Sequence, residues 1–153
     1  MDTALTQKVF PAYFQNFEMP ATAEEQVINV YRACPTRAID HGSFLNTYEE
    51  NGFNVPADKE ANDPQVYCLS TCIRPKDIRR FVIIDSRFQP PWLMAKGCTS
   101  TTCGIACETK SWKPQVKRGS HVDWWLYENA EPWRFFEECN YEFEAEHFPD
   151  GWT

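Results

Sequence analysis

Apolar and polar residues alternate most clearly in the segment HVDWWLY, residues 121–127. With a period of two, His121 and Asp123 fall on one face, while Trp124 falls on the other among apolar neighbours only. This pattern predicts a strand whose apolar face packs into a core. Its mixed face, which combines an imidazole, a carboxylate and aromatic rings, is where we expect a cleft.

The rest of the chain predicts a sheet with a few short helices. Segments rich in β-branched and aromatic residues predict strands at residues 27–33 and 65–71, at FVIID from Phe81, at WLMAKGC, at CGIACET and at the acidic NYEFEAEHF near the C-terminus. Short helices are predicted at residues 43–51, at residues 75–80 and from Glu131-Pro132, with Gly52 as a left-handed stop after the first. We therefore predict one strand-rich α+β domain over residues 1–153, with a mixed or antiparallel sheet and two or three short helices. Residues 1–20 would be an irregular N-terminal arm packed on it.

The composition supports a folded protein without a membrane span. Of the 153 residues, 42% are hydrophobic and 15% aromatic, which is sufficient for a core. The first residues lack a basic stretch followed by an apolar run, so no secretory signal is predicted. No apolar run approaches the roughly 18 residues of a spanning helix. We expect a soluble, cytoplasmic protein with no membrane partner.

Seven cysteines raise the question of a metal site. Cys68 and Cys72, with Cys103 and Cys107, could supply four thiolates to a tetrahedral zinc ion, and Cys98 is a spare ligand. The three-residue gaps are wider than those of most zinc knuckles. We therefore favour reduced, buried thiols over zinc and predict no metal site.

Charge is distributed in three blocks along the chain. Residues 1–73 carry 4 basic and 10 acidic side chains, residues 74–118 carry 10 and 3, and residues 119–153 carry 1 and 9. The ordinary outcome for such blocks is internal pairing or a solvated face. If the basic segment instead forms an exposed patch, it would suit a nucleotide phosphate or nucleic acid.

Three groups of residues occur in an order that carries a family resemblance. Arg32 ends the first predicted strand, Ser70-Thr71-Cys72 ends the second, and Glu142-Phe143-Glu144 lies late in the chain. This order resembles the arginine-serine-glutamate class of ADP-ribosyltransferases, whose cleft binds NAD. By that resemblance Arg32 would hold an NAD phosphate and Ser70 would support the nicotinamide ribose. Glu144 would stabilise the oxocarbenium-like transition state as nicotinamide leaves.

The candidate site residues follow from this resemblance and from the mixed strand face. The cofactor-binding candidates are Arg32, Tyr67, Ser70 and Thr71, and the catalytic candidates are His121, Glu142 and Glu144. A cleft between the first two strands and the HVDWW strand would accept a nucleotide or another anionic small molecule.

Two other interpretations remain open. An imidazole such as His121, held by Asp123, could serve as general base for a nucleophile such as Cys34, or act with His41, in a hydrolase. Alternatively, the chain is a non-catalytic acidic interaction or inhibitor protein that binds another protein. The sequence alone does not decide between an enzyme and a binding module, and nucleic acid stays among the open partners.

Overall fold

A computed structural model describes residues 8–84, 87–116 and 119–148. These ranges form one six-stranded sheet in which every pair of neighbouring strands is antiparallel. The strands are β1 Asn29–Cys34, β2 Leu69–Cys72, β3 Leu93–Cys98, β4 Gly104–Glu108, β5 His121–Leu126 and β6 Phe136–Glu138. The α-helices of the described ranges are α1 Thr47–Glu50, α2 Arg79–Val82 and α3 Tyr141–His147. The predicted α+β class and antiparallel sheet are confirmed.

Strand order in the sheet is β4-β5-β2-β1-β3-β6. β1 pairs with β3 along its whole length, but with β2 only where Tyr31 is opposite Cys72. The two strands therefore separate beyond that pair. Arg32 crosses the gap, since its Nη1 donates to the Ser70 carbonyl at 2.7 Å.

The sheet has two faces, which we name after one residue each. Successive strand residues point to opposite sides, and the registers assign the side chains across neighbouring strands. The Tyr31 face also includes Ser70, Cys72, His121, Asp123 and Trp125; the Trp124 face also includes Val30, Arg32, Leu69 and Val122. The HVDWW strand thus has one mixed face and one apolar face, as its sequence predicts.

Buried aromatic side chains stabilise the packing of the covering segments on both faces of the sheet. Trp124 and Trp125 are both fully buried, one on each face, and each side chain of this size removes roughly 150–250 Å² from water. The Trp124 face carries one continuous core cluster. The Tyr31 face carries two clusters, one around Trp125 and Tyr67 and one around Tyr31 and Met94. Ser70 and His121 lie between these two clusters.

The short helices are set by capping residues. Asn46 accepts from the Glu49 amide at 2.8 Å while the Glu49 carboxylate accepts from the Asn46 amide at 3.0 Å, a capping box that begins α1. Gly52 follows with φ of 69°, so its predicted role as a left-handed stop is confirmed. The predicted helix over 43–51 is shorter in the structure, because a 3-10 turn at His41–Ser43 precedes α1. The 3-10 helix Pro132–Phe135 follows Glu131 as predicted.

Two predicted strands are wrong in the described ranges. The acidic segment after Asn140 is helix α3, because the Asn140 side chain caps the Phe143 amide and Glu144 turns inward onto the sheet. The strand predicted from Phe81 is instead the end of α2, where the Phe81 ring stacks on Trp92 at 5.0 Å. The last residue of that predicted strand, at position 85, lies outside the described residues.

The strand predicted over residues 65–71 is half correct. Asp63 caps a 3-10 helix at Pro64–Tyr67, so the extended strand begins only at Leu69. The N-terminal arm, of which residues 1–7 lie outside the described residues, forms a 3-10 helix at Ala12–Asn16 with Phe14 buried. The longest α-helix of the described ranges has 7 residues, and none of them could cross a bilayer.

Candidate functional site

A cavity of about 380 Å³ opens on the Tyr31 face, where β1, β2 and β5 lie side by side. We call it the His121 cavity. It lies between the two core clusters of that face, where the sequence places a cleft. Its walls combine hydroxyl groups, basic groups and aromatic rings: Arg32, Ala33, Ser70, Thr71, Cys72, Asp77, Ile78, Arg80, Phe81, Trp92, Gly119, Ser120 and His121.

The fully buried carboxylate of Asp123 fixes the orientation of the His121 ring. The ring Nδ1 lies 3.3 Å from Asp123 Oδ1 and 2.6 Å from the Thr109 hydroxyl. That hydroxyl donates its only proton to Asp123 Oδ2 at 2.9 Å, so it must accept from His121 Nδ1. The neutral imidazole therefore carries its proton on Nδ1, which leaves Nε2 as the basic nitrogen. A half-buried imidazole fixed in this way can exchange protons through Nε2.

Asp123 is 0% exposed and is satisfied by several donors. Gln65 Nε2 donates to Oδ1 at 3.0 Å, and Trp112 Nε1 donates to Oδ2 at 2.9 Å. Burial raises the pKa of Asp123, but the hydrogen bond and charge of His121, with the bonds from Gln65 and Thr109, outweigh burial and hold the pKa below its ordinary value. The carboxylate is thus ionised at neutral pH.

Arg32 contributes a buried positive charge to the cavity wall. Its side chain is on the Trp124 face, where Nε and Nη2 donate to the Ser43 carbonyl at 3.0 and 2.8 Å. The residue is only 7% exposed, and burial lowers the pKa of its guanidinium. Within the described ranges no carboxylate lies within ion-pair distance of it. Its hydrogen bonds satisfy donors, and Glu50 is a carboxylate whose charge acts on it from beyond ion-pair distance.

An exposed basic surface borders the cavity. It consists of Arg74, Lys76, Arg79, Arg80 and Arg87, all exposed. Among them, the described residues show an ion pair only for Arg74, with Asp77 at 3.8 Å. Internal pairing between charge blocks does occur elsewhere, because Lys96 pairs with Glu144 at 3.0 Å.

Aromatic rings are interleaved with this basic surface. Phe81, Phe88 and Trp92 form a mutual cluster with centroids 4.8 to 5.1 Å apart. The Arg80 guanidinium lies 4.7 Å from the centroid of the Phe81 ring, and the Arg87 guanidinium lies 5.2 Å from the centroid of the Phe88 ring. Sequence reasoning missed these wall residues because it assigned the segment from Phe81 to a buried strand. The alternation of arginine and phenylalanine between positions 79 and 88 was the available signal.

Four of the sequence-predicted site residues meet at this cavity. Arg32, Ser70, Thr71 and His121 all line it. Tyr67 does not: it is buried in the cluster around Trp125, where its hydroxyl donates to the Ala61 carbonyl at 2.6 Å.

The two late glutamates are elsewhere. Glu144 is 3% exposed and accepts from the Tyr31 hydroxyl at 2.7 Å, with Lys96 as its ion-pair partner. Glu142 is exposed on α3. Since Arg32 and Tyr31 are consecutive on β1, the guanidinium and the Glu144 carboxylate lie on opposite faces of the sheet. The structure does not bring Arg32 and these acids together.

The cysteines are not arranged around His121 as nucleophiles. Cys34 is buried in the core of the Trp124 face, and burial raises the pKa of its thiol to about 11. Cys72 lines the cavity, but its thiol donates to the Arg74 carbonyl and burial raises its pKa. His41 packs edge-on against Trp133. Within the described ranges no group of three or more His, Cys, Asp or Glu side chains could hold a metal ion.

Comparisons with known proteins found no match for this chain among family models, curated proteins or solved structures.

Proposed function

We propose that the protein binds a nucleotide or a nucleotide-like anion in the His121 cavity. The observation that carries the proposal is the chemistry of the cavity wall, where Arg80, the hydroxyls of Ser70 and Ser120 and the rings of Phe81 and Trp92 surround one opening. Buried charges in proteins are normally paired, because removing a charge from water is otherwise costly. The buried Arg32 charge on the Trp124 face is within the field of Glu50 but not at ion-pair distance of it, so it adds to the positive potential that attracts an anionic group.

The electrostatic gain from such a partner is large enough to matter. Opposite unit charges about 4 Å apart attract by roughly 4 kcal/mol at the effective dielectric constant of about 20 that suits protein sites. Arg80 on the rim adds a second cation, and the hydroxyls of Ser70, Thr71 and Ser120 line the same cavity. Asp77 is the acidic group in the wall, and its carboxylate is already bound by the amide and hydroxyl of Ser120.

The aromatic rings favour a nucleotide over a bare phosphate. Phe81 and Trp92 lie on the wall next to the basic rim, and stacking of a base on an aromatic side chain contributes about 1–3 kcal/mol. A cavity of about 380 Å³ is within the usual range for small-molecule sites. The base would contact these rings while the phosphates face Arg80 and the exposed basic surface.

NAD is the specific ligand that the family resemblance adds. Binding of NAD needs only the groups described above, whereas ADP-ribosyl transfer by the resemblance also needs a carboxylate beside the ribose. Glu144 is engaged by Tyr31 and Lys96 and lies away from the cavity. The proposal therefore concerns binding, and nicotinamide release from labelled NAD is measured separately.

Isothermal titration of ADP, NAD, adenosine and inorganic phosphate tests the proposal. We expect ADP and NAD to bind, and adenosine and phosphate each to bind more weakly because each lacks half of the recognised groups. Arg80→Ala should weaken ADP binding roughly tenfold, the usual effect of losing one charge-assisted hydrogen bond. Arg134→Ala removes an exposed arginine that does not line the cavity and serves as the matched control. No heat from ADP or NAD at millimolar concentration would contradict the proposal.

A second function, binding of a basic protein partner, is favoured by one surface. Phe135 and Phe143 are exposed large aromatics, and exposed glutamates accompany them on β6 and α3. Such a strip could anchor a basic partner through aromatic contacts with a charged rim. Retrieval of one stoichiometric partner by wild-type protein, lost in Phe143→Ala, would support this function.

A further inference from the structure

A second cavity, of about 480 Å³, lies on the opposite side of the sheet from the basic surface. We call it the Trp133 cavity. It opens on the Trp124 face, between the N-terminal arm, the segment 41–53 and the segment 126–133. Its walls are rich in aromatic side chains, namely Tyr13, Phe44, Phe53, Tyr67, Trp124, Tyr127 and Trp133.

The charged groups of this cavity are of one sign. Glu49, Glu128 and Glu131 line it together with His41, while the described residues that line it include no lysine or arginine. One Glu49 oxygen accepts from the Asn46 amide, and Glu131 pairs with Arg134 outside the cavity. Glu128 is exposed and has no ion pair within the described ranges. The cavity therefore carries net negative charge over aromatic walls.

One buried polar group in the wall has no partner. The indole N–H of Trp124 is the buried side-chain donor without a hydrogen-bond partner in the described part of the chain. Its nitrogen is enclosed by protein, so a ligand in the cavity does not reach it, and binding there depends on the aromatic and acidic walls alone.

We propose that the Trp133 cavity binds a methylated ammonium group. Aromatic ring faces attract such cations through their quadrupoles, and the methyl groups reduce the cost of removing the cation from water. The glutamates add electrostatic attraction. The source is either a small quaternary amine or a trimethylated lysine side chain in a peptide. This site shares no lining residue with the His121 cavity and does not depend on nucleotide binding.

Choline and its uncharged isostere 3,3-dimethylbutan-1-ol form the matched ligand pair for the test. The two have nearly the same shape and both carry a hydroxyl, so their difference reports the cation. We expect calorimetry to show choline binding at least roughly tenfold tighter than the isostere. Equal affinities, or no binding of choline at millimolar concentration, would overturn the proposal.

Single substitutions test whether choline binds in the Trp133 cavity. Glu128→Gln, at an exposed position that should leave folding intact, is expected to weaken choline several-fold without changing affinity for the isostere. Trp133→Leu should weaken choline at least tenfold, whereas Phe135→Ala, an exposed aromatic outside the cavity, should not change it. Unchanged choline affinity in both Glu128→Gln and Trp133→Leu would refute the assignment. A trimethyl-lysine peptide that binds more tightly than choline identifies the peptide source, and the reverse order identifies the small amine; either order supports the site.

Discussion

Replacement of Asp123 by asparagine should destabilise the fold by about 2–4 kcal/mol. The exchange turns one acceptor oxygen into an NH₂ donor inside a site that already holds only donors. If the remaining oxygen keeps Thr109 and Trp112, the new amide faces Gln65 Nε2 and His121 Nδ1. Gln65 cannot flip without cost, because its own oxygen accepts from Lys113 at 2.7 Å. The Gln65 amide and the Cys68 thiol, which donates to the same Oδ1 at 3.6 Å, would lose their acceptor, whereas His121 Nδ1 keeps the Thr109 hydroxyl. Each donor left without an acceptor costs about 1–3 kcal/mol.

Urea denaturation measures this loss, with Asp58→Asn as the matched control. Asp58 is exposed in a loop, so its replacement should stay within about 0.5 kcal/mol of wild type. The effect of Asp123→Asn should also depend on pH. Because the folded state holds the pKa of Asp123 below its ordinary value, its stabilisation is complete above the unfolded pKa of about 3.9 and is lost as pH falls through the folded pKa. A variant within about 0.5 kcal/mol of wild type at pH 7 would refute this reasoning.

Two further predictions concern packing. Gly104→Ala should destabilise by several kcal/mol or prevent folding, since a Cβ there would lie 2.0 Å from the Trp125 carbonyl oxygen. Gly52→Ala, where a Cβ would make only an ordinary contact with Asn54 at 3.8 Å but φ is 69°, should cost only about 1 kcal/mol. Thermal denaturation compares the two, and equal losses would count against the close strand approach. Cys34 should react slowly with a thiol reagent at pH 8 until urea unfolds the protein, because burial raises its pKa to about 11. Rapid labelling of Cys34 in native protein, located by mass spectrometry, would argue against its buried position.

Strands could be predicted from the sequence where the pattern of side chains fits only one type of secondary structure. HVDWWL alternates over six residues and forms β5, and its polar side carries the His121–Asp123 pair. The segment after Asn140 can be read with either period, because its glutamates alternate while its inward residues also recur at helical spacing. Tertiary contacts decide between the two, since Glu144 as part of a helix reaches both Tyr31 and Lys96. No local pattern contains that information.

In the candidate site too, some neighbours could be predicted from the sequence and others could not. The family resemblance selects Arg32, Ser70 and Thr71 and the mixed strand face selects His121; the three strands that carry them are neighbours in the sheet. The pairing of Glu144 with Lys96 depends on residues 48 positions apart, and sequence order alone placed that acid in the wrong surroundings. The basic and aromatic wall was missed for a local reason, because an apolar run of four residues reads equally as a strand or as a short helix.

The most direct test of nucleotide binding is to follow individual side chains by NMR while ADP is added. Trp92 lines the His121 cavity, and Trp133 lines the cavity on the opposite face. The proposed function predicts that ADP shifts the Trp92 indole, His121 ring and Arg32 Nε–H signals and leaves the Trp133 indole signal unchanged. Saturable shifts confined to residues outside the His121 cavity, or no shifts at all, would contradict it.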